Sequence, residues 1–340
     1  MKGPEGREDR LDFVLHVGLS KTGTTMLQQH FFPDIPEVYY LGKNRELKTP
    51  RQCIDDNGFE ILNPLLWDHR EEWDASQVVE SVKKQARSND PQKRVWLASW
   101  EELVNRRLDL HLESLRRIQN VFGHCRMLVV LRNPLERISS EYLQELRYNY
   151  LKVRYPPNGR YSLRHPVFPS LDRWLNDQQK TGYLQILLAT GDLVRKSMEI
   201  IGKENLGVFL YEQLRADSPR FLRSLATFLG VESTEELVNR PVYPKYRHAR
   251  ITEGQVRFLR GIENSFWRKI AWLHQSSRVR RKKFLPHAKD GVPEKALLPE
   301  AWREVVIDQT YQGHCWLEET FGLPLSVHGY PMSANPGDIN

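Results

Sequence analysis

What this sequence has little of narrows it before any motif is read. Among 340 residues there are three cysteines, Cys53, Cys125 and Cys315. They lie far apart and form no Cys-x-x-Cys pair or Cys/His cluster. Neither a disulfide framework nor a structural zinc site is therefore supported, and buried free thiols in a reducing compartment are the reading that remains. No window approaches the roughly 18 apolar residues that a membrane span needs. The opening MKGPEGREDR is polar and lacks the apolar centre of a signal peptide. Together these absences predict a cytoplasmic protein with no membrane partner. Internal repeats, low-complexity tracts and a Gly-, Ser- or Pro-rich linker are also missing. That favours a single domain over 1–340, with 1–10 and 331–340 as flexible tails. Charge is only mildly unbalanced: 50 Lys and Arg against 43 Asp and Glu leave a net +7. Such an excess suits an anionic ligand, a nucleic acid or an acidic surface without choosing among them. No recognition helix, RNA-binding signature or basic–aromatic stripe speaks for nucleic acid.

What is present alternates. Short apolar runs at 13–17 (FVLHV), 95–98 (VWLA), 127–131 (MLVVL) and 208–211 (VFLY) read as strands covered on both faces, with 37–41 a weaker candidate. Amphipathic stretches near 24–32, 76–87, 108–121, 134–149, 181–202 and 217–229 read as helices between them. Strand–helix alternation predicts a three-layer α/β fold, a central parallel β-sheet flanked by helices. Beyond about residue 250 the pattern is mainly helical, ending in a helix near 299–321. Residues 148–169 collect aromatics, prolines and arginines and read as a long ordered loop or an insertion, a feature that is often functional.

The stretch FVLHVGLSKTGTT (13–25) carries the first chemistry. Gly18 and Gly23 have the spacing of a GxxxxGK[ST] triphosphate loop, and Thr25 has its hydroxyl. Thr24 stands where the lysine belongs, and Lys21 comes three residues earlier. A Gly-rich turn between a strand and a helix is still an anion site. Glycines let the backbone turn tightly, and the helix start offers unpaired N–H groups and a positive dipole end. Lys21 adds a mobile charge, and Thr22, Thr24 and Thr25 add hydroxyls. Nucleotide triphosphatases place an Asp at a strand end to hold Mg²⁺. Here MLVVL ends instead in Arg132, a group suited to a second phosphate. The second constellation is LRNPLERISSEYL (131–143). Pro134 opens a helix well, and Arg132 with Ser140 could grip one phosphate together.

The two motifs together resemble the sulfotransferases that use 3′-phosphoadenosine 5′-phosphosulfate (PAPS), in a bacterial-type form. The family's PKTGTT loop is matched by Ser20, Lys21, Thr22, Gly23, Thr24 and Thr25, with Ser20 in place of the usual proline. Its RNPxxRxxSxY motif is matched by Arg132, Asn133, Pro134, Arg137, Ser140 and Tyr142. The segment 208–231 resembles the family's YEDL strand end and the helix after it, and FGLPLSVHGYP (321–331) its tail. The resemblance implies a P-loop NTPase-like sulfotransferase fold and an enzyme of the EC 2.8.2 type. It implies that Lys21 is catalytic and that residues 20–25 hold the phosphosulfate. Arg132 and Ser140 hold the 3′-phosphate, no metal is required, and adenosine 3′,5′-bisphosphate (PAP) is a product. The acceptor it implies is the hydroxyl or amine of a carbohydrate or small molecule, with 148–169 as the candidate acceptor-side loop.

Acceptor activation calls for a general base within hydrogen-bond reach. A Ser-x-Glu pattern after the 95–98 run selects Glu101, with Glu102, His16 and His111 as alternatives. The basic run 278–283 reads as solvated surface or a contact to an anionic group. Arg247 and Arg250 fall roughly where the family closes a loop over the nucleotide. The competing class is a P-loop-like nucleoside or small-molecule kinase using ATP. A homo-oligomer is left open.

Overall fold

The computed structural model describes residues 12–42, 56–67, 73–88, 90–100, 108–151, 167–232, 235–240 and 251–334. Cys53, Glu101, Glu102, Arg247, Arg250, most of the acceptor-side loop (152–166) and the chain ends 1–10 and 335–340 lie outside them.

Among the described residues five strands form one parallel sheet in the order β2-β3-β1-β4-β5. They are β1 (Asp12–Val17), β2 (Val38–Tyr40), β3 (Val95–Trp100), β4 (Cys125–Leu131) and β5 (Leu206–Leu210). The strands are apolar on both faces because both faces are covered. Phe13, Leu15 and Val17 of β1 pack with Trp96, Ala98, Met127 and Val129 on one side. Val14 packs with Leu97, Leu128 and Val130 on the other. The fold is therefore the expected α/β arrangement, a central parallel sheet flanked by helices. Strand order reverses at β1, whose neighbours are β3 and β4. In open α/β sheets the crevice beyond such a reversal, at the carboxyl ends of the strands, is where ligands bind. The loop 18–23 leaves β1 at that end.

The helices around this sheet carry local signals. α1 (Thr24–His30) is shorter than the expected 24–32. Pro33 lacks the N–H that a continuing helix needs, and Phe32–Asp34 turn as 3₁₀ instead. α2 (Asp56–Leu62), for which no expectation was formed, precedes α3 (Ala75–Ser88) and α4 (Leu108–Phe122). α5 (Pro134–Leu151) follows β4 in the chain and reaches into the stretch expected as loop. α6 (Leu171–Lys180) is likewise new, its Ser170 hydroxyl accepting from Arg173 N at 3.2 Å as an N-cap.

The single helix expected over 181–202 is two, α7 (Tyr183–Leu188) and α8 (Thr190–Ile201), interrupted at Ala189. Gly191, in the first turn of α8, is a packing glycine. A Cβ there would sit 2.7 Å from the Gly313 Cα of the last helix. β5 stops at Leu210 and Tyr211 opens α9 (Tyr211–Ala216). α10 (Ser218–Leu229) has an Asp217 cap, an early proline and a left-handed Gly230 behind it. α11 (Glu235–Val238) closes this region. The mainly helical remainder holds α12 (Glu253–Glu263), α13 (Phe266–Leu273), α14 (Ser277–Phe284) and α15 (Glu300–Phe321).

The chain divides into two compact units. The first, Met1–Arg132, Ile186–Tyr246 and Thr310–Met332, contains the sheet and both of its apolar cores. Within it His314 Nδ1 donates to the carbonyl of a buried Pro331 at 2.9 Å. The second, Asn133–Gln185, Arg247–Gln309 and Ser333–Asn340, is built on α5, α6 and α12–α14. Its interior sets Tyr142 against Trp174 and Phe168 against Trp272. Glu263 ties the incoming chain to it, accepting from the N–H groups of Val167 (2.8 Å) and Phe168 (2.9 Å) and from Lys269 Nζ (2.6 Å). Arg260 donates to Phe168 O (2.7 Å) and to the Tyr142 hydroxyl.

No described helix is long and apolar enough to cross a membrane. Cys125 is a buried free thiol, and burial raises its pKa; Cys315 is free and partly buried.

Candidate active site

The loop between β1 and α1 has an unusual backbone. Lys21 stands at φ 67°, the one non-glycine residue at positive φ among the described residues. Side chains resist that conformation by roughly 1–2 kcal/mol, so it persists only where neighbours hold it. Arg132, at the end of β4, does this: its Nη1 donates to Lys21 O at 3.0 Å. Gly23, the N-cap of α1, is also left-handed (φ 85°). A Cβ at Gly23 would lie 2.7 Å from Leu214 Cδ2.

Thr22 and Thr24 are buried, and their hydroxyls donate to Leu19 O at 2.7 and 3.1 Å. Both hydroxyl protons brace the loop from within, a role that the sequence pattern did not suggest. Ser20, Lys21, Gly23 and Thr25 are half-exposed. The first N–H groups of a helix have no intrahelical acceptor. No described residue accepts from those of Thr24 and Thr25. The loop therefore leaves backbone donors open, in a turn that also carries Lys21.

Arg132 has a second support. Its guanidinium lies 4.7 Å over the ring of Tyr211, the first residue of α9. The carboxyl ends of β1, β4 and β5 thus converge on one cation. Tyr211 was within reach of the sequence reading as the tyrosine of YEQL (211–214), but that segment was matched without a role for the ring.

Local chemistry also explains Arg132-Asn133-Pro134. Asn133 Oδ1 accepts from Leu135 N at 3.0 Å, and Asn133 O accepts from Arg137 N at 2.8 Å. Asn133 is the N-cap of α5 and Pro134 its first residue. Ser140 is half-buried in the second turn of α5 and belongs to the second compact unit, whereas Lys21 and Arg132 belong to the first.

Below the loop runs a buried polar chain that sequence reasoning missed. β3 extends two residues past its expected end and brings Ser99 into register with His16 of β1. His16 Nδ1 lies 2.6 Å from Ser99 Oγ. Gln28 of α1 donates to Ser99 Oγ at 3.1 Å and to Ser99 O at 3.4 Å. His16 is fully buried, which pushes its pKa down to about 3 and keeps the ring neutral. The available signal was a histidine inside an otherwise apolar strand. His111, the other histidine weighed as a base, is buried in α4 with Nε2 3.1 Å from Ser197 Oγ, and burial lowers its pKa to about 4. Both rings are closed off from solvent. Among the described residues no group of three or more His, Cys, Asp or Glu could hold a metal ion.

No curated protein matches the sequence. Solved sulfotransferase structures align over most of the chain, three of them as follows. A sulfotransferase from Alicyclobacillus acidocaldarius is 17% identical, covering 80% of this chain and 99% of its own, with a TM-score of 0.43. Mouse sulfotransferase SULT7A1, solved with PAP, is 15% identical, covering 91% and 89%, with a TM-score of 0.39. The sulfotransferase domain of the curacin biosynthetic pathway is 14% identical, covering 68% and 79%, with a TM-score of 0.38. The model of the sulfotransferase domain family matches residues 11–253, well over half of the chain. The chain belongs to the sulfotransferase domain family.

Proposed function

We propose that this protein transfers the sulfuryl group of PAPS to a hydroxyl or amine of a carbohydrate or small-molecule metabolite, without a metal. The observation that carries the reading is the hydrogen bond from Arg132 to the carbonyl of Lys21. It sets the arginine of the second motif against the loop of the first, 111 residues away in the chain. Such an arrangement suits a ligand bearing separate phosphate and phosphosulfate groups.

In this reading Lys21 and the N–H groups of Gly23, Thr24 and Thr25 bind the phosphosulfate, with Ser20 and Thr22 shaping the loop. Arg132 and Ser140 bind the 3′-phosphate. Glu101 accepts the acceptor's proton as its oxygen or nitrogen bonds to sulfur and the bond from sulfur to the bridging oxygen breaks. Lys21 stabilises the charge left on that oxygen in PAP. Positioning and fixed positive charge supply most of the rate, as in phosphoryl transfer. A single catalytic domain of bacterial type and a cytoplasmic location complete the proposal.

Two measurements test it. PAP without metal should raise the thermal midpoint, with a stabilisation of about 2.7 kcal/mol at a hundredfold excess over Kd. Mg·ATP and an oligonucleotide should not. Stabilisation by Mg·ATP alone would refute the reading in favour of a kinase. Glu101→Gln should bind PAP normally and lose labelled sulfuryl transfer across an acceptor panel. Near wild-type turnover in that variant would remove Glu101 as the base.

A further inference from the structure

One hydrogen arrangement leaves the fewest groups of the polar chain beneath the donor loop unpaired. Ser99 O is an acceptor only, so the Gln28 atom facing it is the amide nitrogen. The same nitrogen donates to Ser99 Oγ. Giving the Oγ proton to His16 Nδ1 leaves only a ring hydrogen on Nε2 unpaired, whereas a hydrogen on Nδ1 would leave the Oγ proton without a described acceptor as well. A doubly protonated ring would likewise leave the Oγ proton without an acceptor, in keeping with the lowered pKa of His16. Nε2 is buried and has no hydrogen-bond partner among the described residues. A buried donor without an acceptor is unfavourable, and a leucine in β1 would avoid it. Core packing therefore gives no reason for an imidazole at this position, whereas an acceptor at Nδ1 does.

The placement of the three residues matters. His16 is one residue from the end of β1, where the donor loop begins. Gln28 is in α1, where that loop ends, and Ser99 is one residue from the end of the neighbouring β3. One serine thus ties both ends of the loop to the sheet. We propose that His16 and Gln28, acting through Ser99, are positioning residues that lock the donor loop in its anion-binding conformation. The proposal rests on the reading that this loop takes the nucleotide donor. It assigns no proton transfer to His16.

The test is PAP affinity by calorimetry, measured well below each variant's melting temperature, together with kcat. His16→Leu, Ser99→Ala and Gln28→Leu should each weaken PAP binding by about tenfold, the effect of losing a buried hydrogen bond or two. Adding His16→Leu to Ser99→Ala should cost nothing further, because the link is already cut. His16→Asn offers a side-chain oxygen in place of Nδ1 and should stay within about threefold of the wild type. Should His16→Leu not fold, Gln28→Met carries the same comparison. Single variants that bind PAP like the wild type while only melting earlier would overturn the inference, as would His16→Asn binding as poorly as His16→Leu. Wild-type protein that binds no PAP would instead refute the functional reading on which it rests.

Discussion

Gly23→Ala is the sharpest probe of the donor loop, because two separable costs meet at one methyl group. The backbone is left-handed at φ 85°, which costs a side chain roughly 1–2 kcal/mol. The new Cβ would also lie 2.7 Å from Leu214 Cδ2, about 1 Å inside an ordinary carbon contact. Leu214 is buried and belongs to the same apolar cluster as Met26, Leu27 and Phe221. Overpacking of this kind costs about 1–3 kcal/mol. The sum is about 2–5 kcal/mol of stability, read by urea denaturation. Gly230, at φ 65° with nothing within 4 Å of its Cβ, is the internal control. Gly230→Ala should cost only the conformational part, about 1–2 kcal/mol. In a Leu214→Ala background the excess at Gly23 should largely disappear. Equal costs at Gly23 and Gly230, or an excess that survives Leu214→Ala, would show that Leu214 does not constrain this turn. PAP affinity should fall in Gly23→Ala and stay unchanged in Gly230→Ala.

Two further outcomes follow from buried charge. Glu263→Gln strips the partner from Lys269, whose side chain is 8% exposed, and should cost about 3–5 kcal/mol in denaturant. Adding Lys269→Met should recover much of that loss, and no recovery would mean that the bonds to Val167 and Phe168 carry the effect. Acidification should destabilise the fold through His16, His111 and His314, whose pKa values burial holds at about 3, 4 and 4. Unfolded histidines titrate near 6.5, so between there and about pH 4 the unfolded chain binds more protons. Stability from these groups is complete above about pH 6.5 and falls as the pH drops, by up to about 1.4 kcal/mol per pH unit for each. His111→Gln should flatten the melting temperature against pH over this window, and an unaltered slope would show that His111 is protonated in the native state.

The strands were legible because a parallel sheet covered on both faces leaves continuous apolar runs, and 13–17 and 127–131 recur almost unchanged. The ends were less legible. β3 continues through Ser99 and Trp100 because the ladder with β1 continues, and pairing with a distant strand leaves no mark on a polar residue's own neighbours. The split at Ala189 was hidden for a similar reason. Gly191 reads as a weak point in a helix, and only contact with Gly313 gives it a function. α6 went unnoticed beside a long aromatic stretch, although Ser170 is an ordinary cap. In the site, Lys21, Gly23 and Arg132 were all visible as motif members.

By itself the sequence determined the layer architecture, the position of the loop between β1 and α1 and the membership of its two motifs. Those features depend on residue type at short spacing: apolar periodicity, glycine where φ is positive, asparagine and proline at a helix start. Tertiary structure decided which groups brace that loop. It turned the Thr22 and Thr24 hydroxyls onto Leu19, set Arg132 between the Lys21 carbonyl and the Tyr211 ring, and made Ser99 the joint between His16 and Gln28. These are hydrogen bonds and ring contacts across as many as 111 residues. Their partners are chosen by where strands end in space, which the chain does not spell locally.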